Sequence, residues 1–370
     1  MLWRFLILLL ISASPTHAAP TVNAKDHGAM GDGTTDDTAA LQQAVDAAAE
    51  TKGTLHVPSG IYLIDASRGV VLKSQMTLEL KEGAVLRAIP NALESYRIVS
   101  ISKCEAVTVT GGTIEGERDA HQGKTGEWGN GIDVRDSKQI VIDKVTVKSC
   151  WGDGIYVGQR SENVTISRVT CDENRRQGLS ITSAAEVTVR DSTFRHTHGT
   201  APECGVDIEP NAGETVANCQ VLKCQFEANA GGGLQVGPAN ADKEKSSVTE
   251  FVAAGNSFTG NGTSQPPRYT IQISNCTGAT VRDNQLNGNS GIGIGVLSSK
   301  NTTLTGNEVR QTRLTSNRSD SGILLTTDQG TTCTDNIVSQ NEGYGIFLWK
   351  SSTDVSQNRV TGNKRGQVKR

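Results

Sequence analysis

Two acidic residues two positions apart are the sharpest chemical feature of the sequence. Asp207 and Glu209 stand in the segment VDIEPN. In a strand such residues face the same side, so their Cα atoms would lie about 6.8 Å apart. Glycoside hydrolysis needs one protonated acid and one ionised carboxylate, and crowded acids acquire the different pKa values that these roles require. A solvated acidic strip is the plainer interpretation.

A third acid, Asp153, lies in the segment SCWGDGIYVG, directly before the apolar phrase GIYV. Aspartate often makes a turn hydrogen bond at such a junction, so a structural role is one interpretation. The other is catalytic: if each repeat forms one layer, Asp153 would lie two layers, or about 10 Å, from Asp207. We predict that Asp153, Asp207 and Glu209 act across one groove, with His196 as a further catalytic candidate.

Basic residues near these acids could hold a charged substrate. Arg135, Arg175 and Arg176 could bind carboxylate or sulfate groups, because a guanidinium matches the geometry of such groups. They could equally pair with neighbouring acids of the protein. The predicted substrate-binding residues are Asp133, Arg135, Tyr156, Arg175, Arg176, His198 and Trp128.

Histidines and aromatic residues complete the set of candidates. His196 and His198 stand in the segment RHTHGTAPEC, where either could be a general base or a turn residue. Trp128, Trp151 and Tyr156 could stack on sugar rings, although Trp151 could instead pack beneath a loop.

An internal repeat indicates how these residues are positioned. A phrase of glycine, aliphatic, any residue and aliphatic recurs as GIDV at 131, GIYV at 154, GLSI at 178, GVDI at 205 and GLQV at 233. Related phrases follow at 270, 293, 322 and 345. Two further short apolar pairs accompany each phrase, which gives three short strands per period and no room for a crossover helix. The pattern predicts a parallel β-helix, with successive layers about 4.8 Å apart.

Alternation within the repeated phrase separates core residues from exposed ones. Ile155, Leu179, Val206 and Leu234 are predicted to stack in one inward column. The same parity places a strip of polar side chains outward on one sheet, and such a groove suits a long polar ligand such as a polysaccharide. The predicted strip contains Asp133, Arg135, Ser180, Thr182, Asp207, Glu209 and Gln235.

Asparagines and cysteines fall into the repeat as well. Aligned repeats place one asparagine at a bend of each late layer, where left-handed geometry and stacked amides both favour this residue. Those asparagines are Asn256, Asn284, Asn307, Asn336 and Asn358.

The eight cysteines show no zinc-site spacing, so no metal cluster is expected, and buried free thiols are as consistent with the pattern as disulfides.

The N-terminal region differs from the repeats. Residues 1–18 have the positive start, short apolar run and small-residue end of a secretory signal peptide, which predicts a secreted or periplasmic protein. Residues 19–64 are predicted to form a cap and the first strands, and residues 65–370 the β-helix. Within the cap, 36–50 has Leu41, Ala44, Val45 and Ala48 on one helical face, so this helix should cover the open end of the coil.

The cap sequence carries a resemblance to a known group. VNAKDHGAMGDGTTDDTAALQQAVDAA followed by GTLHVPSGIYLI resembles the N-terminal segment of the pectate-lyase-like superfamily, which includes polygalacturonase-related glycosidases, alginate-type epimerases and lyases, and phage tailspike enzymes. The resemblance implies an all-β protein with a single right-handed parallel β-helix and an N-terminal capping helix. The polygalacturonase motif set is absent as such, so the resemblance transfers no catalytic residue.

Three functions remain open at this point. A secreted glycoside hydrolase with paired carboxylates ranks first. A lyase or C5-epimerase acting on a uronic-acid polymer is the alternative; arginine would neutralise the substrate carboxylate, His196 or Tyr156 would be the base, and Ca²⁺ could take part. A non-catalytic carbohydrate-binding protein is third.

The expected partners follow from charge and composition. A formal net charge of -3 gives no reason to expect nucleic acid. We expect a monomer that binds an extended polysaccharide, needs no cofactor for hydrolysis and has no membrane contact once the signal peptide is removed.

Overall fold

The computed structural model describes residues 20–238, 246–264, 269–315 and 318–370. The described residues form three long parallel sheets of fourteen, thirteen and twelve strands around one core. Each turn of the chain adds one strand to each sheet, which confirms the predicted all-β parallel β-helix. The predicted signal peptide lies outside the described residues. No helix in the described ranges has the length and apolar character needed to cross a bilayer.

The strands are short because the chain turns a corner every few residues. Sheet 1 contains Thr21–Asn23, Thr54–Val57, Met76–Leu80, Glu105–Thr110, Lys138–Asp143, Ser161–Ser167, Ala184–Arg190, Thr215–Leu222, Ser247–Thr249, Val252–Ala254, Cys276–Thr277, Thr280–Arg282, Thr303–Thr305 and Thr332–Thr334. Sheet 2 contains Asp32–Asp36, Gly60–Ile64, Ala84–Ala88, Thr113–Glu115, Thr146–Lys148, Thr170–Asp172, Thr193–Arg195, Gln225–Glu227, Ser257–Thr259, Gln285–Asn287, Glu308–Arg310, Ile337–Ser339 and Arg359–Thr361. Sheet 3 contains Val70–Val71, Ser95–Ser102, Trp128–Arg135, Ile155–Gly158, Leu179–Ile181, Val206–Ile208, Leu234–Val236, Tyr269–Ser274, Ile292–Leu297, Ser321–Thr326, Tyr344–Trp349 and Gly366–Lys369.

Like residues of successive layers stack on one another in the core. Ile155 pairs in register with Leu179, Leu179 with Val206, and Val206 with Leu234. All four side chains are fully buried, which confirms the predicted inward column. The core therefore holds sheet 3 in a fixed register, and that register determines which side chains reach its outer face.

The asparagine column is also confirmed, with one change to its explanation. The side-chain Nδ2 of Asn284 donates to Oδ1 of Asn307 at 2.9 Å, and Asn307 donates to the next asparagine at 2.9 Å. The prediction placed asparagine itself in the left-handed conformation, which is wrong. The left-handed residue is the one before it, for example Gly306 with φ of 65°. This residue turns the chain from sheet 1 to sheet 2 and directs the asparagine side chain into the core.

A second buried asparagine ladder, at the corner that follows sheet 2, was missed by the sequence analysis. Asn229 donates to Asn261, and Asn261 donates to Asn289, each at 2.9 Å. Asn341 and Asn363 continue the pattern nearer the C-terminus at 2.8 Å. These side chains satisfy backbone groups at corners where no sheet ladder can.

The N-terminal helix covers the first layer as predicted. It spans Thr38–Glu50, and Leu41 and Ala44 on its apolar face are buried against the first strands together with Val45 and Ala48. The Asp36 carboxylate accepts a hydrogen bond at 3.0 Å from the backbone N–H of Thr38, the first residue of the helix. Two short 3₁₀ helices span Ala24–His27 and Arg118–Ala120.

All eight cysteines are free and buried. The structure therefore has buried free thiols, one of the two possibilities that the sequence left open. Burial raises the pKa of the Cys219 thiol to about 12, which keeps that thiol protonated and unreactive at neutral pH.

Candidate active site

A groove of about 300 Å³ lies on the outer face of sheet 3. It brings together seven of the eleven predicted catalytic and substrate-binding residues, together with Ser180 and Thr182 of the predicted strip. The groove is lined by Ser95, Arg97, Trp128, Arg135, Asp153, Tyr156, Arg176, Ser180, Thr182, Asp207, Glu209 and Asn211.

Strand register explains why these side chains converge. Asp133 pairs with Tyr156, Tyr156 with Ser180, and Ser180 with Asp207, so they form one outward column across four layers. Glu209 directly follows the strand Val206–Ile208 and lies two residues beyond Asp207. The outward strip is therefore located on the sheet where the alternation predicted it.

Asp153 faces the groove although its side chain is only 1% exposed. Both carboxylate oxygens lie 3.3 Å from Nη1 of Arg176. Its backbone N–H donates to Oδ1 of Asn130 at 3.3 Å, which fixes the start of the strand. Burial raises the pKa of Asp153, and the neighbouring Arg176 opposes that rise. The Asp153 side chain is thus engaged by a cation in the groove, in contrast to a simple turn residue.

Arg176 provides the positive charge at the centre of the acids. Burial alone lowers the pKa of Arg176, but Asp153 and Asp207 raise it above its ordinary value, so the guanidinium stays charged. Its Nε atom lies 3.4 Å from a carboxylate oxygen of Glu127. One cation therefore serves several carboxylates, and this excess of acid favours retention of a proton among them.

Asp207 and Glu209 are the acids on which a proton is retained. Asp207 is 2% exposed and accepts hydrogen bonds from the amides of Gln177 at 2.9 Å and Gln235 at 3.2 Å. Burial and then the nearby Glu209 raise the pKa of Asp207 well above its usual range. Burial also raises the pKa of the half-buried Glu209, against the effect of Arg176. The two residues titrate as a pair that holds a proton more tightly than either free acid would.

A second group of charges lies beside the acids. Asp133 was predicted to bind substrate, but it is 1% exposed and lies behind the groove. It pairs with Arg135 at 2.6 Å and with Arg97 at 3.5 Å, so its contact with the groove is through these arginines. The Arg135 guanidinium lies 4.4 Å from the centre of the Tyr156 ring, and the Tyr156 hydroxyl is 2.8 Å from that of Thr182.

Arg175 was predicted to contact substrate, but the structure gives it another place. Its guanidinium lies 3.7 Å from the centre of the Trp151 ring and donates to the backbone oxygen of Gly126 at 2.9 Å. The other face of Trp151 stacks on His121 at 3.8 Å. Arg175 therefore holds the loop that precedes Trp128 against the body of the protein. Trp151 has the packing role that was its alternative interpretation.

Neither His196 nor His198 lines the groove. His196 follows the strand Thr193–Arg195 of sheet 2, and its Nδ1 atom lies 2.8 Å from the carboxylate of Asp172. His198 contacts the guanidinium of Arg118. Both histidines lie in the corner between the sheet 2 strand Thr193–Arg195 and the sheet 3 strand Val206–Ile208, and so before the strand that contributes Asp207 to the groove.

Three lining residues, Ser95, Arg97 and Asn211, were not predicted from the sequence. Ser95 and Arg97 belong to the strand Ser95–Ser102, which pairs with Trp128–Arg135 but lacks the glycine phrase of the repeats. The alternation of Val99 and Ile101 could have revealed this layer. Asn211 lies beyond the repeated phrase and had no comparable signal.

Within the described ranges, no three histidine, cysteine, aspartate or glutamate side chains are grouped so that they could hold a metal ion.

Comparison with protein families gives two matches. A family model described as right handed beta helix region matches residues 56–244, which is half of the chain. A second model, described as periplasmic copper-binding protein (NosD), matches residues 228–369.

Two proteins illustrate the sequence relatives. The uncharacterized protein YclG of Bacillus subtilis is 29% identical over 93% of this chain and 62% of its own length. Mannuronan C5-epimerase AlgE4 of Azotobacter vinelandii is 30% identical over 42% of this chain and 31% of its own length. The chain therefore spans less than two thirds of either relative.

Solved structures share the fold at low sequence identity. The A-module of AlgE4 superimposes with a TM-score of 0.67 at 17% identity, covering 95% of this chain and 98% of the module. PfbA, a surface adhesin of Streptococcus pneumoniae, gives 0.70 at 17% identity over 94% and 93% of the two chains. An exopolygalacturonase of Thermotoga maritima gives 0.58 at 15% identity over 96% and 93%. Together with the family model and the three parallel sheets, these likenesses show that the chain belongs to the right-handed β-helix family.

Proposed function

We propose that this protein is an exported glycoside hydrolase that cleaves a polysaccharide in the groove of sheet 3. One observation carries the proposal: Asp153, Asp207 and Glu209 line one open groove around the partly buried Arg176, which pairs with Asp153 and lowers the pKa of the other two acids. Three acids against one cation leave a proton within the cluster, as acid catalysis of glycoside cleavage requires.

The environments of the acids suggest their separate roles. The Asp207–Glu209 pair has raised pKa values, and Glu209 is the more accessible member, so we assign the proton donor to this pair. The donor protonates the glycosidic oxygen as its bond to the anomeric carbon breaks. Burial raises the pKa of Asp153, but the adjacent Arg176 opposes that rise, so we assign to Asp153 the base that takes a proton from the water attacking the anomeric carbon. The products are two shorter chains, one with a new reducing end.

Other groove residues fit a sugar ligand. Trp128 is 51% exposed on the groove wall and offers a ring face to a sugar. Tyr156 and Thr182 present hydroxyl groups, and Asn211 presents an amide. No cofactor is needed for this reaction, since water and two carboxylates supply every group that changes.

An exported location is part of the same proposal. It is supported by the leader-like pattern of residues 1–18 and by the NosD model, whose description names a periplasmic protein. The exported location is thus inferred from a sequence pattern and from a family description.

The proposal is tested by incubating purified protein with several polysaccharides and measuring reducing ends and ultraviolet absorbance of the products. New reducing ends without unsaturated products are expected. Asp153→Asn, Asp207→Asn and Glu209→Gln retain side-chain shape, and at least two of the three should lose about 100-fold or more in rate. Asp283→Asn is the matched control, because Asp283 is an exposed acid outside the groove. Full turnover by all three groove variants would disprove the assignment.

A lyase or C5-epimerase acting on a uronic-acid polymer is the second candidate. It is favoured by Arg97 and Arg135, two arginines that face the single carboxylate of Asp133 and so leave positive charge for an acidic sugar. The identity with AlgE4 points the same way. Against it, burial raises the pKa of Tyr156, the groove residue proposed as base, and so disfavours the phenolate. Unsaturated or epimerised products, and their loss on removal of Ca²⁺, would favour this candidate.

A further inference from the structure

An aromatic surface lies on the same face of sheet 3 as the groove, nearer the C-terminus. The half-buried Tyr269 and Tyr344 and the exposed Trp349 form it together with the buried Phe347, and we call these four residues the aromatic platform. The Phe347 ring lies 5.6 Å from that of Tyr344 and meets the Trp349 ring edge-on at 6.2 Å. Trp349 is 55% exposed, an unusual position for the largest apolar side chain.

Strand register aligns this platform with the catalytic acids. Phe347 stands in the outward column of Asp207, and Trp349 stands in the neighbouring column of Glu209. Each pair is five strand spacings apart, which corresponds to about 24 Å. The column between the two sites runs through Gln235, Gln272, Gly295 and Leu324.

Amides and an aromatic ring lie between the two sites, and the buried Leu324 packs against Tyr269 and Tyr344. The Gln235 amide reaches Asp207 at 3.2 Å, and the Gln272 amide donates to the hydroxyl of Ser274 at 2.8 Å. At Gly295 a Cβ atom would lie only 2.4 Å from the ring of Tyr269, so the missing side chain lets that ring lie against the sheet. Amides bind sugar hydroxyls, and flat aromatic faces bind the apolar faces of sugar rings.

Exposed tryptophans stand on both sides of the acids. Trp128 lines the groove from the strand Trp128–Arg135, and Trp349 ends the strand Tyr344–Trp349. In the part of the chain that the structure describes, these two are the tryptophans with more than half of their surface exposed. Both lie on sheet 3, where Trp128 precedes the column of Asp133 and Asp207 along its strand and Trp349 follows that column, so the two rings stand on opposite sides of it.

We propose that the aromatic platform is a second carbohydrate-binding site, which holds the same polysaccharide chain that the groove cleaves. The inference rests on the proposed function only in taking a polysaccharide as the ligand. A long chain reaches both sites, and binding at one raises the effective concentration at the other. A short oligosaccharide in the groove does not reach Trp349.

Kinetics with long and short substrates test the inference. Trp349→Ala should raise KM for the polymer about tenfold, the factor equivalent to one well-packed aromatic contact, and leave kcat unchanged. KM for a trisaccharide should change less than twofold. Trp349→Phe should restore most of the polymer affinity. Leu314→Ala removes another exposed apolar side chain, one outside sheet 3, and should behave as wild type. Equal changes of KM for the polymer and the trisaccharide would overturn the inference.

A binding experiment separates this inference from the proposed reaction. Asp207→Asn protein, with and without Trp349→Ala, is passed over immobilised alginate, polygalacturonate and α-1,3-glucan. If a polymer retains the Asp207→Asn protein and retains the double variant more weakly, the aromatic platform binds carbohydrate. That result supports the inference even if no hydrolysis is ever found. Equal retention of the two proteins, or retention of neither on any polymer, disproves it. Melting temperatures of both proteins should agree within a few degrees.

Discussion

Replacement of Asn307 by alanine should destabilise the protein strongly and leave its activity intact. The Asn307 Nδ2 group donates to the backbone oxygen of Val281 at 2.8 Å and to Oδ1 of Asn336 at 2.9 Å. Its Oδ1 accepts from the backbone N–H of Asn284 at 3.1 Å and from the Asn284 side chain at 2.9 Å. Alanine would remove all four hydrogen bonds and leave their partners buried.

The expected cost follows from these bonds. Each contributes about 1 kcal/mol, so the free energy of unfolding should fall by about 4 kcal/mol. For a chain of 370 residues the entropy of unfolding is about 0.8 kcal/mol per kelvin, and the melting temperature should fall by about 5 °C.

Calorimetry or circular dichroism would measure this change. Asn287→Ala is the matched control, because Asn287 is an exposed asparagine on the strand Gln285–Asn287 of a neighbouring layer. Its melting temperature should stay within about 1 °C of wild type, as is usual for exposed sites. The reasoning is refuted if Asn307→Ala melts no earlier than this control. Loss of turnover in fully folded Asn307→Ala would show that the functional region lies in the C-terminal half.

Three further predictions concern the groove and its surroundings. Asp207→Asn should melt above wild type, and the difference should grow as the pH rises from about 4, because a carboxyl with a raised folded pKa stabilises the fold only while protonated; a difference independent of pH between 4 and 8 contradicts this. Arg176→Gln should move the acidic limb of the pH–rate profile to higher pH, since Arg176 lowers the pKa values of Asp153 and Glu209; an unmoved limb would remove Arg176 from the site. His196→Ala should keep turnover within about twofold of wild type, because the ring pairs with Asp172 away from the groove; a 100-fold loss would return His196 to the mechanism.

Sequence periodicity predicted much of the fold correctly because the direction of a strand side chain depends only on its position within the strand. Side chains in a strand alternate with a period of two, and each repeat adds one layer, so the inward column containing Ile155 and the outward positions of Asp207 and Glu209 follow from spacing alone. The helix Thr38–Glu50 was predictable in the same way from its apolar face.

What the spacing could not supply was the environment of each side chain. His196 and Arg175 belong to corners whose side chains do not repeat from layer to layer, so the sequence could not show that His196 turns towards Asp172 or that Arg175 lies on Trp151. Arg97 was missed because its strand lacks the glycine phrase that marks the other layers.

The three groove acids show most clearly what the sequence and the tertiary structure each determined. Sequence alone determined that Asp207 and Glu209 face outward together. Only the tertiary structure decided that Asp207 is almost fully buried on that face, that Asp153 points at Arg176, and that the pKa values of all three acids are raised. Burial and charge pairing depend on residues that are distant in the chain, and the coil brings these residues within a few ångströms of one another.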